Sequence, residues 1–285
     1  MPDAEPWTHH EAQVGEVRLH WVEQGSGPLL VLLHGFPEFW YAWRRQLHAL
    51  AAAGFRVVAP DMRGYNLSEK PEGVAAYSVQ KLAGDVAALV RHLGAERAHV
   101  AGHDWGGVVA WWTAMLHPEA VERLVVINAP HPRIFARELK KLRQMRRSWY
   151  AMMFQLPRLP EALFRARDFA VLERTFRKGP KRPGAYSDED IRRYKEAAAQ
   201  PGALTAMINY YRAATRVQRP RTRTVEAPTL VIWGERDPHL GIHNLEGLEE
   251  YVPDLRVERI AEAGHWVPAD APERVSELMT GFLRG

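Results

Sequence analysis

The chain of 285 residues is long enough for one large α/β domain, or for a core domain with an insertion, and can bury a sizeable core. Hydrophobic residues make up 46% of it and charged residues 25%, a balance found in soluble globular proteins. It contains no cysteine, which excludes disulfides and thiolate metal sites. Because it lacks a secretory signal and any apolar run that could span a bilayer, we expect a cytoplasmic protein.

The net charge of +4 is distributed unevenly along the chain. Residues 133–223 contain 23 Lys or Arg against 8 Asp or Glu, whereas the remainder contains 15 basic and 26 acidic residues. This asymmetry predicts two structural units with different surfaces. The basic unit could steer anionic substrates or contact acidic lipid or nucleic acid. A solvated helical face without a charged partner is the simpler interpretation, and no nucleic-acid partner is expected.

Short apolar runs alternate with helical segments in the first half of the chain. Residues Val17–Gln24 alternate in polarity and predict a strand, and a turn leads from them to the continuous apolar run Leu29–Leu33. Four further runs share this character: 56–60, 98–101, 124–127 and 229–232. Helical segments separate them at 43–53, 78–93 and 106–117. This order predicts an α/β protein with a mostly parallel, doubly wound sheet.

The alternation stops after Ile127. From about residue 132 to residue 220 no strand-like run appears, and the segments 187–200 and 202–217 have helical composition or spacing. The excess of basic residues covers the same region. We therefore predict a helical cap domain at 132–222, inserted between two parts of the core at 1–131 and 223–285. An amphipathic helix at 272–283 ends the chain.

Residues 102–106 read Gly-His-Asp-Trp-Gly, which has the form of a hydrolase nucleophile elbow with Asp104 at the presented position. A carboxylate that adds to a carbonyl carbon gives only a labile anhydride. At an sp3 carbon with a strained or halide leaving group, it forms a stable ester. The elbow therefore predicts epoxide opening or carbon–halogen cleavage.

Two further polar residues complete a catalytic order. Asp237 follows the apolar run at 229–232, and His265 lies nearer the C-terminus. Nucleophile, acid and histidine in this order are typical of an α/β-hydrolase triad. His265 would activate water to cleave the ester, because histidine has a pKa near neutrality. Asp237 would orient the imidazole and stabilise its cation.

Five motifs in order carry a resemblance to a known family. They are residues 34–38 (His-Gly-Phe-Pro-Glu), 61–68, 102–107, Asp237 and residues 264–265 (Gly-His). They span nearly the whole chain, which resembles the epoxide hydrolase and haloalkane dehalogenase branch of the α/β-hydrolase superfamily. Soluble epoxide hydrolases are the most similar. The resemblance implies an α/β-hydrolase fold with a cap, acting on a small-molecule epoxide and water without a cofactor or metal.

The resemblance also assigns roles outside the triad. The oxyanion of ester hydrolysis would be held by the backbone amides of Phe36 and Trp105. A cis peptide is implied before Pro37. The cap segments 149–155 and 209–212 resemble those that carry paired tyrosines, which assigns Tyr150 and Tyr211 to the leaving oxygen. Tyr210 competes with Tyr211, because adjacent helical residues point about 100° apart.

Four side chains are assigned to the substrate: His34, His103, Trp105 and Phe154. We expect His34 to brace its own loop as well, and His103 to line or support the site. No histidine or carboxylate cluster has convincing metal-ligand spacing, and His9 and His10 favour a solvated tail. The oligomeric state, monomer or homodimer, stays open.

Two other functions compete with epoxide hydrolysis. A haloalkane or haloacid dehalogenase would use the same Asp-His-Asp triad. In haloalkane dehalogenases, however, asparagine commonly occupies the position of Phe36. In fluoroacetate dehalogenases, arginines occupy the positions of Trp105 and Val108. The second alternative is a non-catalytic ligand-binding protein on the same fold, which the complete triad disfavours.

Overall fold

The computed structural model describes residues 6–215 and 224–285, in which the predicted apolar runs form the centre of an eight-stranded sheet. The strands are β1 (Thr8–Val14), β2 (Val17–Gln24), β3 (Leu29–Leu33), β4 (Arg56–Pro60), β5 (Ala98–His103), β6 (Val121–Ile127), β7 (Thr229–Gly234) and β8 (Leu255–Ile260). Their order is β1-β2-β4-β3-β5-β6-β7-β8. β2 runs antiparallel to β1 and β4, and all other neighbours are parallel.

The central strands are covered on both faces, as their continuous apolar runs predict. Every residue of β3 and β5 is buried. The helices that follow the core strands are α1 (Arg44–Ala52), α2 (Val79–His92), α3 (Trp105–Leu116), α10 (Val267–Asp270) and α11 (Pro272–Leu283). Because α2 packs on α3 and α1 packs on α11, the core is a doubly wound α/β sheet.

The two edge strands were not predicted from the sequence. β1 and β8 are largely exposed, so they lack the continuous apolar character of the inner strands. His9 and His10 lie in β1, and the expectation of a solvated tail at these residues was wrong. Nδ1 of His9 lies 2.9 Å from Nε2 of His20, and the two rings stack.

All regular secondary structure described between β6 and β7 is helical. The helices are α4 (Pro132–Glu138), α5 (Leu142–Arg147), α6 (Trp149–Met153), α7 (Leu159–Lys178), α8 (Asp188–Ala199) and α9 (Ala203–Ala214). Ser187 and Asp190 form a capping box at the start of α8. The end of the segment predicted at 202–217, the domain boundary predicted at 222/223 and residues 1–5 of the predicted first unit lie outside the described residues.

The described part of the chain contains no helix that is both long and apolar enough to cross a membrane. Nor do residues 6–215 and 224–285 bring together three His, Cys, Asp or Glu side chains in a group that could hold a metal ion.

Glycines allow α3 to start tightly against the strands. A Cβ atom at Gly106 would lie 2.1 Å from the backbone oxygen of Leu33, at the end of β3. One at Gly102 would lie 2.2 Å from the oxygen of Gly106. Both contacts are with backbone atoms, which cannot turn aside as a flexible side chain does. The turn between β5 and α3 therefore requires glycine at both positions.

We expect Gly106→Ala to lower the free energy of unfolding by about 2–3 kcal/mol, since the added methyl group would force the backbone of β3 to shift. Gly84→Ala is the matched control, because Gly84 lies inside α2 and an added Cβ has nothing within 4 Å. It should raise the free energy of unfolding by about 0.5–1 kcal/mol. Urea unfolding measures both, and equal stability of the two variants would contradict the packing argument.

Candidate active site

Asp104 stands at the junction of β5 and α3, beyond the carboxyl ends of the parallel strands. Its backbone has φ 51° and ψ −120°, which is strained for a residue with a side chain. Its amide donates to the oxygen of Ile127, the last residue of β6, at 3.2 Å. The turn thus projects the carboxylate above the sheet, as the elbow motif predicts.

The two carboxylate oxygens of Asp104 have different neighbours. Oδ1 accepts the backbone amide of Phe36 at 2.8 Å, and Oδ2 lies 3.5 Å from Nε2 of His265. A Cβ atom at Gly35 would approach that of Asp104 to 2.6 Å, so the loop before Phe36 comes this close only with glycine there. Burial raises the pKa of Asp104, but the interaction with His265 outweighs it and leaves the pKa below its usual value.

His265 connects Asp104 to Asp237. Its Nδ1 lies 2.7 Å from Oδ2 of Asp237, while Nε2 faces the elbow. Because the ring is almost fully buried, desolvation lowers its pKa. The charges of Asp237 and Asp104 act in the opposite direction and raise the pKa of His265 well above its usual value. The two carboxylates therefore favour the protonated form of the imidazole.

Asp237 is supported by more donors than the sequence indicated. Its Oδ2 accepts the side-chain amide of Asn128 at 2.7 Å, and Oδ1 accepts the backbone amides of His239 and Leu240 at 2.7 and 2.9 Å. Burial opposes the charge, but His265 and these donors lower the pKa of Asp237 to about 2. Asn128 was missed as a site residue, although it directly follows β6, where ligand-contacting side chains are expected.

Two backbone amides lie next to the carboxylate of Asp104. That of Phe36 already donates to Oδ1, and the Phe36–Pro37 peptide is cis, as the family resemblance implied. Trp105 opens α3, so its amide belongs to the first turn, whose N–H groups have no acceptor within the helix. One amide therefore contacts the carboxylate and the other directly follows Asp104 in the chain, while their role towards an oxyanion stays a prediction.

Tyr150 on α6 and Tyr211 on α9 meet near the elbow. Their ring centroids are 5.9 Å apart, and the ring of Tyr211 lies 5.0 Å from that of Trp105 and 5.2 Å from that of Phe36. Burial raises the pKa of both phenols, and the negative charge of Asp104 adds to the effect. Phe154 packs on the ring of Tyr211 at 4.8 Å and completes an aromatic wall.

Tyr210 contacts this wall only through the ring of Trp105, 5.5 Å from its own, and its hydroxyl is bonded elsewhere. Its hydroxyl donates to the backbone oxygen of Arg63 at 2.7 Å, and its ring lies against that of Tyr65. Of the two adjacent tyrosines on α9, only Tyr211 therefore has its ring against Phe36.

His34 and His103 are occupied by protein contacts. His34 is fully buried, with Nδ1 3.0 Å from the oxygen of Gly35 and Nε2 3.0 Å from the amide of Met62. His103 has Nδ1 3.1 Å from Oε2 of Glu38 and Nε2 2.8 Å from the backbone oxygen of His265. These bonds brace both residues against the protein, whereas their contacts with substrate stay a prediction.

The loop after β7 contributes another residue that sequence reasoning missed. The ring of His239 lies 5.2 Å from that of His265 and 5.4 Å from that of Tyr150. Burial and the charge of His265 lower the pKa of His239 to about 4, so its ring is neutral at pH 7. The only signal in the sequence was its position two residues after Asp237.

Helix α5 is bonded directly to this loop. Arg147 donates to the backbone oxygen of Asp237 at 2.8 Å, and the side-chain amide of Gln144 donates to that of His239 at 2.7 Å. Gln144 is completely buried, and its Oε1 lies 3.1 Å from Nδ2 of Asn244. Helix α5 therefore holds the backbone of the loop that carries Asp237.

Comparisons with known proteins agree with this geometry. The profile of the alpha/beta hydrolase fold family matches residues 28–272. The chain is 42% identical over 274 residues to AB hydrolase superfamily protein YfhM of Bacillus subtilis, covering 94% of this chain and 95% of that protein. It is 38% identical to human Epoxide hydrolase 4, covering 94% of this chain and 76% of that one.

A solved structure extends the likeness to three dimensions. A mutant epoxide hydrolase from Bacillus megaterium superposes with a TM-score of 0.89 and 33% identity, covering 97% of this chain and all of that one. Sheet order, elbow and sequence similarity agree, and the chain belongs to the α/β-hydrolase family, where it is epoxide hydrolase-like.

Proposed function

We propose that this protein is an epoxide hydrolase that converts an epoxide and water into a vicinal diol without a cofactor or metal ion. One observation carries the proposal: the elbow presents a carboxylate, that of Asp104, in contact with His265 and beside the phenols of Tyr150 and Tyr211. The likeness to epoxide hydrolases along nearly the whole chain supports the same reaction. The helices α4–α9 would act as a cap, for which we keep the bounds 132–222.

In the first step, Oδ2 of Asp104 attacks one carbon of the epoxide ring. The ring carbon–oxygen bond breaks, and an alkyl-enzyme ester forms. Oδ1, which accepts the amide of Phe36, becomes the carbonyl oxygen of this ester. The low pKa of Asp104 supports the step, because the attacking group is ionised at neutral pH.

The phenols of Tyr150 and Tyr211 would serve the leaving oxygen. It gains negative charge as the ring opens, and in water-poor surroundings it needs donors and finally a proton. Burial raises the pKa of both tyrosines, so each still carries its proton at neutral pH. A hydrogen bond from the side chain of Trp105 to Tyr211 would orient that hydroxyl.

In the second step, His265 takes a proton from water, which attacks the ester carbonyl. The tetrahedral oxyanion is held by the amides of Phe36 and Trp105. On its collapse the departing alcohol oxygen takes the proton from His265, which releases the diol, and the re-formed carboxylic acid of Asp104 gives its proton to the tyrosinate left by ring opening. Ester formation removes the charge of Asp104, one of the groups that raise the pKa of His265. The first step thus lowers the pKa of the base, which favours the neutral imidazole that the second step needs.

Dehalogenation by the same triad is the competing reaction. It also begins with attack by Asp104, but the leaving halide needs N–H donors and no proton. The phenols beside the elbow favour a leaving oxygen. A parallel screen of aryl and alkyl epoxides, haloalkanes and fluoroacetate separates the reactions. Diol formation supports the proposal, and halide release without diol overturns it.

We expect His265→Gln to stop the reaction at the ester, because the base of the second step is lost while the nucleophile is kept. Incubation with an epoxide that the wild-type protein hydrolyses should raise the intact mass by that of the substrate. Peptide mapping should place the adduct on Asp104. Asp104→Ala combined with His265→Gln is the control and should remain unmodified. Failure to trap any hydrolysed epoxide would count against the covalent mechanism.

Tyr150→Phe and Tyr211→Phe should each lower the rate constant of alkylation by about tenfold to a hundredfold, since each removes one hydrogen bond to a charged oxygen. Tyr210→Phe is the matched control. Because the hydroxyl of Tyr210 is bonded to the backbone oxygen of Arg63, this variant should be less stable than wild type. The protein that remains folded should keep the wild-type alkylation rate. Single-turnover kinetics measure this rate, and equal effects at Tyr210 and Tyr211 would remove the special role of Tyr211.

Asp104→Ala should lower the pKa of His265, because one of the two carboxylates that stabilise the imidazolium is removed. Asp237→Asn should lower it further, since Asp237 is the larger cause of the rise. NMR titration of the imidazole gives both values, with the His265→Gln spectrum identifying the resonance. An unchanged pKa in Asp104→Ala would show that ester formation does not control the base.

A further inference from the structure

Exposed apolar side chains are concentrated in one stretch of the inserted helices. Of the eleven large hydrophobic residues that are exposed within residues 6–215 and 224–285, eight lie between 139 and 163. They are Leu139, Leu142, Met145, Trp149, Met152, Leu156, Leu159 and Leu163. Trp149 is 65% exposed and Met152 73%. Single exposed apolar residues are ordinary, but such a concentration marks an interaction surface.

Each short helix here has an outward and an inward side. On α5, Leu142 and Met145 are exposed, whereas Gln144 is buried. On α6, Trp149 and Met152 are exposed, while Tyr150 on the same helix contacts the aromatic wall of the site. At the start of α7, Leu159 and Leu163 are exposed. A spacing of three or four residues places each pair on one side of its helix.

Basic side chains are interspersed with these apolar residues along the chain. Between residues 139 and 167 there are eight Lys or Arg and one acidic residue, Glu161, which is paired with Arg212. Five of the basic residues are exposed and have no side-chain hydrogen bond or ion pair to any other described residue: Lys140, Arg146, Arg158, Arg165 and Arg167. Arg158 and Arg165 also line an open cavity of about 800 Å³. The five exposed basic residues and the eight apolar residues together form what we call the basic apolar surface.

We propose that the basic apolar surface docks the protein onto an anionic lipid bilayer. Outward apolar side chains surrounded by lysine and arginine are the features of helices that lie in the plane of a membrane interface. The charge selects an anionic occupant. A second copy of this chain, seated on the same face, would bring the basic residues against each other. Nucleic acid would pair with the charges but leave the aliphatic side chains without an apolar partner.

Docking would place α6 at the lipid interface, with Trp149 and Met152 towards the acyl chains. The same helix carries Tyr150, whose ring lies 5.9 Å from that of Tyr211. A substrate dissolved in the bilayer would then meet the protein at the outer side of the helix whose inner side carries this phenol. This last consequence rests on the proposed function, whereas the docking itself does not.

The test is flotation of the full-length protein with vesicles of phosphatidylglycerol and phosphatidylcholine, compared with phosphatidylcholine alone. We expect binding to the anionic vesicles and little to the neutral ones. Lys140→Gln and Arg146→Gln should each lower the partition coefficient about fivefold. Trp149→Ser with Met152→Ser should lower it further. Arg91→Gln and Leu67→Ser, exposed residues outside the surface, are the matched controls and should bind like wild type.

Lipids with brominated acyl chains test insertion itself. These lipids should quench part of the tryptophan fluorescence of wild type, and this quenching should be absent in Trp149→Phe. That variant keeps an apolar side chain at the surface, so its binding to the vesicles is retained. Urea unfolding and epoxide turnover without vesicles verify that the variants are folded. The proposal is overturned if wild type ignores anionic vesicles, or if the surface variants bind as well as the controls. It is also overturned if the surface variants bind vesicles as wild type does and instead convert a dimer into a monomer or no longer bind DNA.

Discussion

A carboxylate that is buried and must nevertheless stay ionised is the constraint on which the rest of the site depends. Burying an unpaired charge costs far more free energy than the fold can supply, so Asp104 needs partners already in place. The amide of Phe36 and the ring of His265 provide them. The His265 cation in turn depends on Asp237, which is held by Asn128 and two backbone amides. Each charge is therefore tolerable only because the next is present.

Close backbone approach is the geometric counterpart of this charge balance. Gly35, Gly102 and Gly106 remove side chains where the loop after β3, the end of β5 and the start of α3 come together. Without that approach, the amide of Phe36 could not reach Oδ1, and the carboxylate of Asp104 would lose one of the contacts that lower its pKa. The elbow motif and the His-Gly-Phe-Pro loop thus both need glycine, because their backbones pack closely against each other.

Much of this arrangement could be predicted from local sequence. The inner strands β3 to β7 are continuous apolar runs, and Asp104, Asp237 and His265 follow a known chain order. The edge strands β1 and β8 could not be found in the same way, because they are largely exposed. The choice between Tyr210 and Tyr211 depended on how α9 packs, which spacing alone does not reveal. Motifs also do not show that the ring nitrogens of His34 and His103 are bonded to other groups of the protein. His239 and Asn128 act through loop geometry, and only their positions after Asp237 and after β6 marked them in the sequence.

The bonds between α5 and the loop after β7 limit how the inserted helices can move. Arg147 and Gln144 hold the backbone oxygens of Asp237 and His239, so lifting α5 would pull on the residue that orients the imidazole. Helix α5 is therefore fixed to the loop that carries the acid of the triad. A displacement of other inserted helices that left these two bonds in place would leave the orientation of the imidazole unchanged.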